Sequence, residues 1–144
     1  MKRSGKSQQK IEDPFVVHID DLTHAGRGVA HRDGKAIFVD GGLPGEEVEC
    51  VYTVCRSRLD EAQVTRVLES SPERVEPRCR HFAICGGCSL QHLASEAQLV
   101  LKQGWLLSSL LHIGKVQPEQ VLPPMTGPLW AYRRRARLGV KWVA

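Results

Sequence analysis

Short runs of hydrophobic positions separated by sharp turns fill residues 14–71, and part of that stretch alternates with the period of two that marks half-buried strands. Phe15-Val16-Val17-His18-Ile19 opens the series, and His24-Ala25-Gly26-Arg27-Gly28 supplies a flexible turn before Val29-Ala30. Arg32-Asp33-Gly34-Lys35 carries an Asp-Gly pair, which favours a tight hairpin because glycine accepts positive φ without steric penalty. Ala36 to Val39 reads as the return strand, broken by Gly41-Gly42-Leu43-Pro44-Gly45. From Glu46 the alternation is clean, with Val48, Cys50, Tyr52 and Val54 on one face and Glu47, Glu49 and Thr53 on the other. A last strand runs roughly from Glu61 to Leu68. Five short strands with glycine-rich connections predict a mostly β N-terminal barrel of oligonucleotide-binding (OB) type, small enough for side chains to fill its interior.

Ser70-Ser71-Pro72 through Pro77 reads as a linker between two prolines. A helical period follows. Ser95 and Gln98 have capping-box spacing, Leu99, Leu106, Leu110 and Ile113 share one face, and Gly114 stands where a left-handed C-cap belongs. Gly104 inside this helix costs about 1 kcal/mol relative to alanine. Pro118, Pro123, Pro124 and Pro128 mark a long connection, and Tyr132 to Val143 reads as the beginning of a strand. The predicted organisation is a basic disordered tail (1–12), the barrel (13–71), a cysteine motif (72–93), and a helix with the start of a central domain (94–144).

Composition narrows the class. With 42% hydrophobic and 25% charged residues among 144, the chain is that of a folded protein. No stretch approaches the roughly 18 apolar residues of a membrane span. The basic N-terminus has no apolar core after it, which excludes a secretory signal and predicts a cytoplasmic chain without a membrane partner; a monomer is the separate expectation for its assembly. The net charge of +4 is segregated. Lys2, Arg3, Lys6 and Lys10 precede any acid, and Arg133, Arg134, Arg135, Arg137 and Lys141 stand in a C-terminal stretch with none. Segregated positive charge is the footprint of phosphate contacts and points to a nucleic-acid partner.

Five cysteines, an odd number in a chain without a secretory signal, argue against a disulfide scaffold. Cys79-Arg-His-Phe-Ala-Ile-Cys85-Gly-Gly-Cys88 places three of them within ten residues, as a metal centre requires. The glycines let the backbone fold closely around a metal, and Arg78 and Arg80 offset thiolate charge. An iron–sulfur cluster takes four cysteines, and three are local; zinc is satisfied by the same three plus His92. Spacing alone leaves both open. Taken singly, His81 and His92 read as polar surface or capping residues. Cys50 shares a face with Val48 and Tyr52 and reads as core filler; Cys55 lies near a strand end.

These motifs resemble those of a known family. The barrel with Gly42-Leu43-Pro44-Gly45-Glu46, followed by Ser71-Pro72-x-Arg74-Val75-x-Pro77-x-Cys79, is similar to a TRAM domain running into a cluster motif. Cys85-Gly86-Gly87-Cys88-x-Leu90-Gln91-His92-Leu93 resembles the signature of RNA uracil-5-methyltransferases, in particular members with a TRAM domain and a [4Fe-4S] cluster that act on 23S ribosomal RNA. Tyr132-Arg133-Arg134-Arg135-Ala136-Arg137 resembles the opening of that family's central domain, which implies the start of a central α/β domain here. The likeness covers nearly everything from residue 14 onward.

The resemblance implies that Cys79, Cys85 and Cys88 ligate a [4Fe-4S] cluster whose fourth cysteine lies past Ala144. It places the S-adenosylmethionine site, the nucleophilic cysteine and the general base there too, so the chain reads as an inactive N-terminal part of a parent enzyme. In that family a thiolate adds to uracil C6, C5 takes the methyl group, a base removes the C5 proton and the thiolate leaves, on a base turned out of its stack. This segment would capture RNA, with Arg133, Arg134, Arg135 and Arg137 on phosphates and Lys35 and Phe38 on the barrel surface. Two alternatives stand beside it. One is a non-enzymatic, zinc-stabilised RNA-binding module with a Cys₃His site. The other is the TRAM-containing part of a tRNA methylthiotransferase, whose cluster motif has three residues between its first two cysteines where this chain has five.

Overall fold

The computed structural model describes residues 14–135 and Arg137. The basic run 1–12 and Lys141 lie outside the described residues. Strands β1 (Phe15–His18), β2 (Asp21–Leu22), β3 (Gly28–Arg32), β4 (Lys35–Asp40), β5 (Glu47–Cys55) and β6 (Leu59–Glu69) precede one helix, α1 (Ser95–His112). They form one sheet in the order β1-β5-β6-β4-β3-β2. All neighbours are antiparallel except β4 and β6, which run parallel.

The sheet returns on itself because β1 and β2 are two halves of one bent strand. Phe15–His18 pairs with β5. At the bend Ile19 N–H donates to Glu46 O and Gly45 N–H donates to Ile19 O, both at 2.9 Å. Asp20 N–H then donates to Val29 O at 2.8 Å and hands the strand to β3. The five strands read from the pattern thus form six elements of an OB-type barrel, with β1 returning beside β3. Asp33 (φ 53°) and Gly34 (φ 75°) occupy the two left-handed positions of the β3–β4 turn, as an Asp-Gly hairpin requires.

Phe15, Val17, Ile19, Ala30, Ile37, Val39, Val48, Cys50 and Ala62 fill the interior, with Tyr52, Val64 and Val67 packed against them. Cys50 is core filler: burial pushes its thiol up to about 11, which leaves it protonated and inert.

The chain divides into two compact units between Gln98 and Leu99, not at the prolines around residue 72. Helix α1 spans the predicted residues but has no buried side chain; Leu106 and Ile113 of the predicted face are exposed. Its end also differs. Lys115 (φ 55°), not Gly114, takes the left-handed position, while Gly114 N–H donates to Ser109 O at 3.1 Å. Described residues between 116 and 135 form no strand, so the one read from Tyr132 is absent there; its remainder, Arg137 apart, lies outside the described residues.

Candidate nucleic-acid interface and cysteine loop

The barrel has two dissimilar ends. At one, the turns 23–27 and 41–46 meet the segment that leads to the cysteines. Glu46 is fully buried there, and burial by itself would raise its carboxyl. Four individually smaller effects together outweigh it and hold the group below the usual glutamate value: hydrogen bonds from Arg74, from Leu43 N–H at 2.9 Å and from Ser71 N–H at 3.2 Å, and the Arg74 charge. Arg74 grips both carboxylate oxygens, Nε to Oε1 at 2.5 Å and Nη2 to Oε2 at 2.7 Å, and donates to Gly41 O at 2.6 Å. The proline-bounded stretch read as a linker is therefore fastened to the barrel, because its arginine is the counter-ion of a buried carboxylate.

That fastening continues into the cysteine loop. Arg74 bridges Leu93 in antiparallel fashion, with Val75 N–H donating to His92 O at 3.0 Å and Ala94 N–H to Glu73 O at 2.8 Å. The Gln98 side-chain amide donates to the carbonyls of Leu90 (2.9 Å) and Leu93 (2.8 Å), tying the loop's exit to the first turn of α1. Ser89 packs so closely on the barrel that a Cβ at Gly26 (φ 80°) would lie 2.9 Å from Ser89 Cβ.

Inside the loop Cys79 is half-buried, Cys85 and Cys88 are exposed, and all three are free thiols. Cys79 O accepts from Phe82 N–H at 2.9 Å, and His81 O accepts from the N–H of Ile84 and of Cys85 at 3.1 Å. Gln91 joins two of the cysteines: its Oε1 accepts from Cys79 N–H (3.2 Å) and its Nε2 donates to Cys88 Sγ (2.7 Å). Among the described residues no three His, Cys, Asp or Glu side chains converge as a metal-binding group. The donor chemistry still fits a soft metal or cluster, with three free thiols on an anchored loop and an amide donor on one sulfur.

His92 is not a surface or capping residue. It is 3% exposed, its ring lies 5.2 Å from that of Phe82, and neither ring nitrogen has a hydrogen-bond partner. Burial first, and the Arg74 charge second, push its pKa down to about 4, so the ring is neutral near pH 7.

The opposite end carries the β3–β4 hairpin and the β5–β6 turn. Lys35 is engaged within the barrel at this end. Its Nζ donates to Asp60 Oδ1 at 2.7 Å and to Arg56 O. Phe38 is half-buried beneath the Arg27 guanidinium, 5.5 Å from its ring centroid. Arg27 in turn pairs with Asp40 (2.8 Å) and Glu61 (3.2 Å), and Arg56 with Glu61 (2.9 Å). At the rim Phe15 and Tyr52 stack at 4.2 Å, and the Arg32 guanidinium lies 4.8 Å from the Phe15 centroid with Nη1 3.5 Å from Tyr52 Oη. Arg133, Arg134, Arg135 and Arg137 are exposed, the first with its guanidinium 5.6 Å from the Tyr132 ring.

The sequence pattern did not reveal the Glu46–Arg74 pair, the Gln91 bridge or the Arg32 stack. A signal existed for the first: Glu46 closes one, and Arg74 lies within the other, of the two short motifs that flank the last two strands.

Residues 15–65 match the TRAM domain family. The chain is 48% identical over 144 residues to the 23S rRNA (uracil(1939)-C(5))-methyltransferase RlmD of Methylococcus capsulatus, covering 100% of this chain and 32% of that protein. It is 51% identical over 140 residues to the protein of the same name from Alkalilimnicola ehrlichii (96% of this chain, 32% of that one). With the Xylella fastidiosa protein of that name it shares 55% over 133 residues (90% of this chain, 30% of that one). The chain thus spans about a third of the length of these relatives.

Proposed function

We propose that this chain, whose residues 15–65 are a TRAM domain, is the RNA-capturing part of an S-adenosylmethionine-dependent 23S rRNA (uracil-C5)-methyltransferase. The observation that carries the reading is the union of an OB-type barrel with a three-cysteine loop through the Glu46–Arg74 pair, in a chain similar along its whole length to proteins of that name. S-adenosylmethionine, when bound to the enzyme, would supply the methyl group. The residues here hold RNA. Arg133, Arg134, Arg135 and Arg137 are exposed guanidinium groups suited to phosphates. Lys35, already paired with Asp60, contributes less, and Phe38 offers its half-buried ring beneath Arg27.

Cys79, Cys85 and Cys88 would hold a [4Fe-4S] cluster, which supplies rigidity to a loop with little core of its own. Gln91, on Cys88 Sγ and Cys79 N–H, orients two of the three ligands. The buried, unpartnered His92 ring favours one competing reading, a Cys₃His zinc site. Anaerobic reconstitution followed by metal and sulfide analysis separates the two. Iron with acid-labile sulfide, lost in Cys79→Ser and retained in His92→Phe, is the expected result. Stoichiometric zinc without sulfide, lost in His92→Phe, would establish the other site.

RNA capture is tested by neutralising Arg133, Arg134 and Arg137 together to glutamine. Binding of a 23S rRNA fragment should weaken, and its logarithmic salt slope should fall by roughly one for each phosphate deprived of its guanidinium. An unchanged slope removes the arginine segment from the interface.

A further inference from the structure

We propose that the Arg32–Phe15–Tyr52 stack at the hairpin end of the barrel is a subsite for an unpaired RNA base, with Arg58, in the turn at the same end, for a phosphate of the same strand. The inference rests on the RNA-capture reading and goes beyond it, because it names a part of the RNA and a stacking contact with the base.

Three observations carry it. The first is geometry. The Phe15 and Tyr52 rings stack with centroids 4.2 Å apart and planes inclined by 26°, and the Arg32 guanidinium lies 4.8 Å from the Phe15 centroid, within hydrogen-bond reach of Tyr52 Oη. A base entering this stack meets surfaces already held in place, so little side-chain freedom is lost on binding. The second is exposure. Phe15 is 7% exposed and rooted in the core, whereas Tyr52 is half-buried and the Arg32 side chain 43% exposed, so the stack opens to water at its Arg32 and Tyr52 edge.

The third is charge. Most cations of the barrel already face carboxylates: Arg27 has Asp40 and Glu61, Lys35 has Asp60, Arg56 has Glu61 and Arg66 has Glu49. Arg32 instead lies across an aromatic ring. Its carboxylate neighbour, Asp33, is 3.9 Å away on a side chain 93% exposed. Arg58, in the β5–β6 turn at the same end, is exposed. A planar cation on an aromatic pair recognises a flat, electron-rich ring, and every nucleobase offers such a face. The ligand is therefore single-stranded RNA, bound with little base preference.

The experiment uses the whole chain and two labelled probes, a short oligouridylate and an abasic ribose-phosphate chain of the same length. The wild-type chain should bind the oligouridylate more tightly than the abasic probe. Arg32→Lys keeps the charge and removes the plane; Tyr52→Leu keeps apolar volume and removes the ring. Each should weaken oligouridylate binding by roughly tenfold and leave abasic binding unchanged, while Tyr52→Trp retains affinity. Arg58→Gln should weaken both probes alike. Thermal unfolding checks each variant, and should Tyr52→Leu not fold, Arg32→Lys decides alone because its side chain is at the rim. Equal wild-type binding of both probes, or equal weakening of both in Arg32→Lys, overturns the base subsite and leaves RNA capture standing. Binding of neither probe nor of a 23S rRNA fragment by the wild-type chain overturns both.

Discussion

At one end of the barrel Arg74 grips a carboxylate with no exposed surface, and at the other Arg32 lies across an aromatic ring with its charge open to water. The residue type is the same and the surroundings divide its uses. Glu46 has hydrogen bonds from Arg74, Leu43 and Ser71, a set that offsets desolvation and makes the pair a fixed joint between barrel and cysteine loop. Arg32 has no such joint to maintain, and half-exposed stacking leaves it available to a ligand. Ion pairing alone does not separate structural from binding arginines; burial of the partner does.

The largest effect should follow from cutting the joint. Glu46→Ala leaves the Arg74 guanidinium without its buried partner, and Arg74→Ala leaves the carboxylate stranded. Either should cost about 3–5 kcal/mol, read as a fall in the urea midpoint, because an uncompensated buried charge is left behind. Glu46→Gln, which keeps shape and part of the hydrogen bonding, should cost less. A cost below about 1 kcal/mol in both alanine variants would make the two ends energetically alike and remove the distinction.

Acid should find the same end first. A histidine whose native pKa is depressed contributes stability above its unfolded value and loses it as pH falls through the native one. For His92 that window runs from 6.5 down to about 4. Glu46, held below its ordinary 4.5, contributes stability above that value, which is lost only at lower pH still. Unfolding free energy measured against pH should therefore decline in two stages. His92→Phe should abolish the upper stage and leave the lower; a profile unchanged by that substitution would mean the imidazole is not buried in the neutral form.

A smaller effect belongs to the hairpin end. Lys35→Met deprives the mostly buried Asp60 of one partner, leaving it the Arg56 N–H at 3.0 Å, and should cost roughly 1–2 kcal/mol. Its effect on the salt slope of RNA binding should be close to zero, since its charge is neutralised before RNA arrives. A slope change as large as that of an exposed arginine would return Lys35 to the phosphate-binding set.

Local pattern was enough to specify the strands and turns of the barrel. Alternation placed Val48 and Cys50 inside, Asp33-Gly34 set the hairpin, and the glycine breaks separated the strands, because side-chain period and turn chemistry act over a few residues. The same short range marked three cysteines on one loop, since ligand spacing is a local property. Other features came into being only when distant segments met. The bend at Ile19 that closes the sheet depends on Glu46 and Val29, far along the chain. Arg74, read within a linker, became a counter-ion through a carboxylate 28 residues away, and His92 became a buried neutral ring. Lys35, a surface cation by pattern, was matched to Asp60 across the parallel β4–β6 pair. Charge pairing and burial depend on distances between segments remote in sequence, so they exist only once the strands are in register.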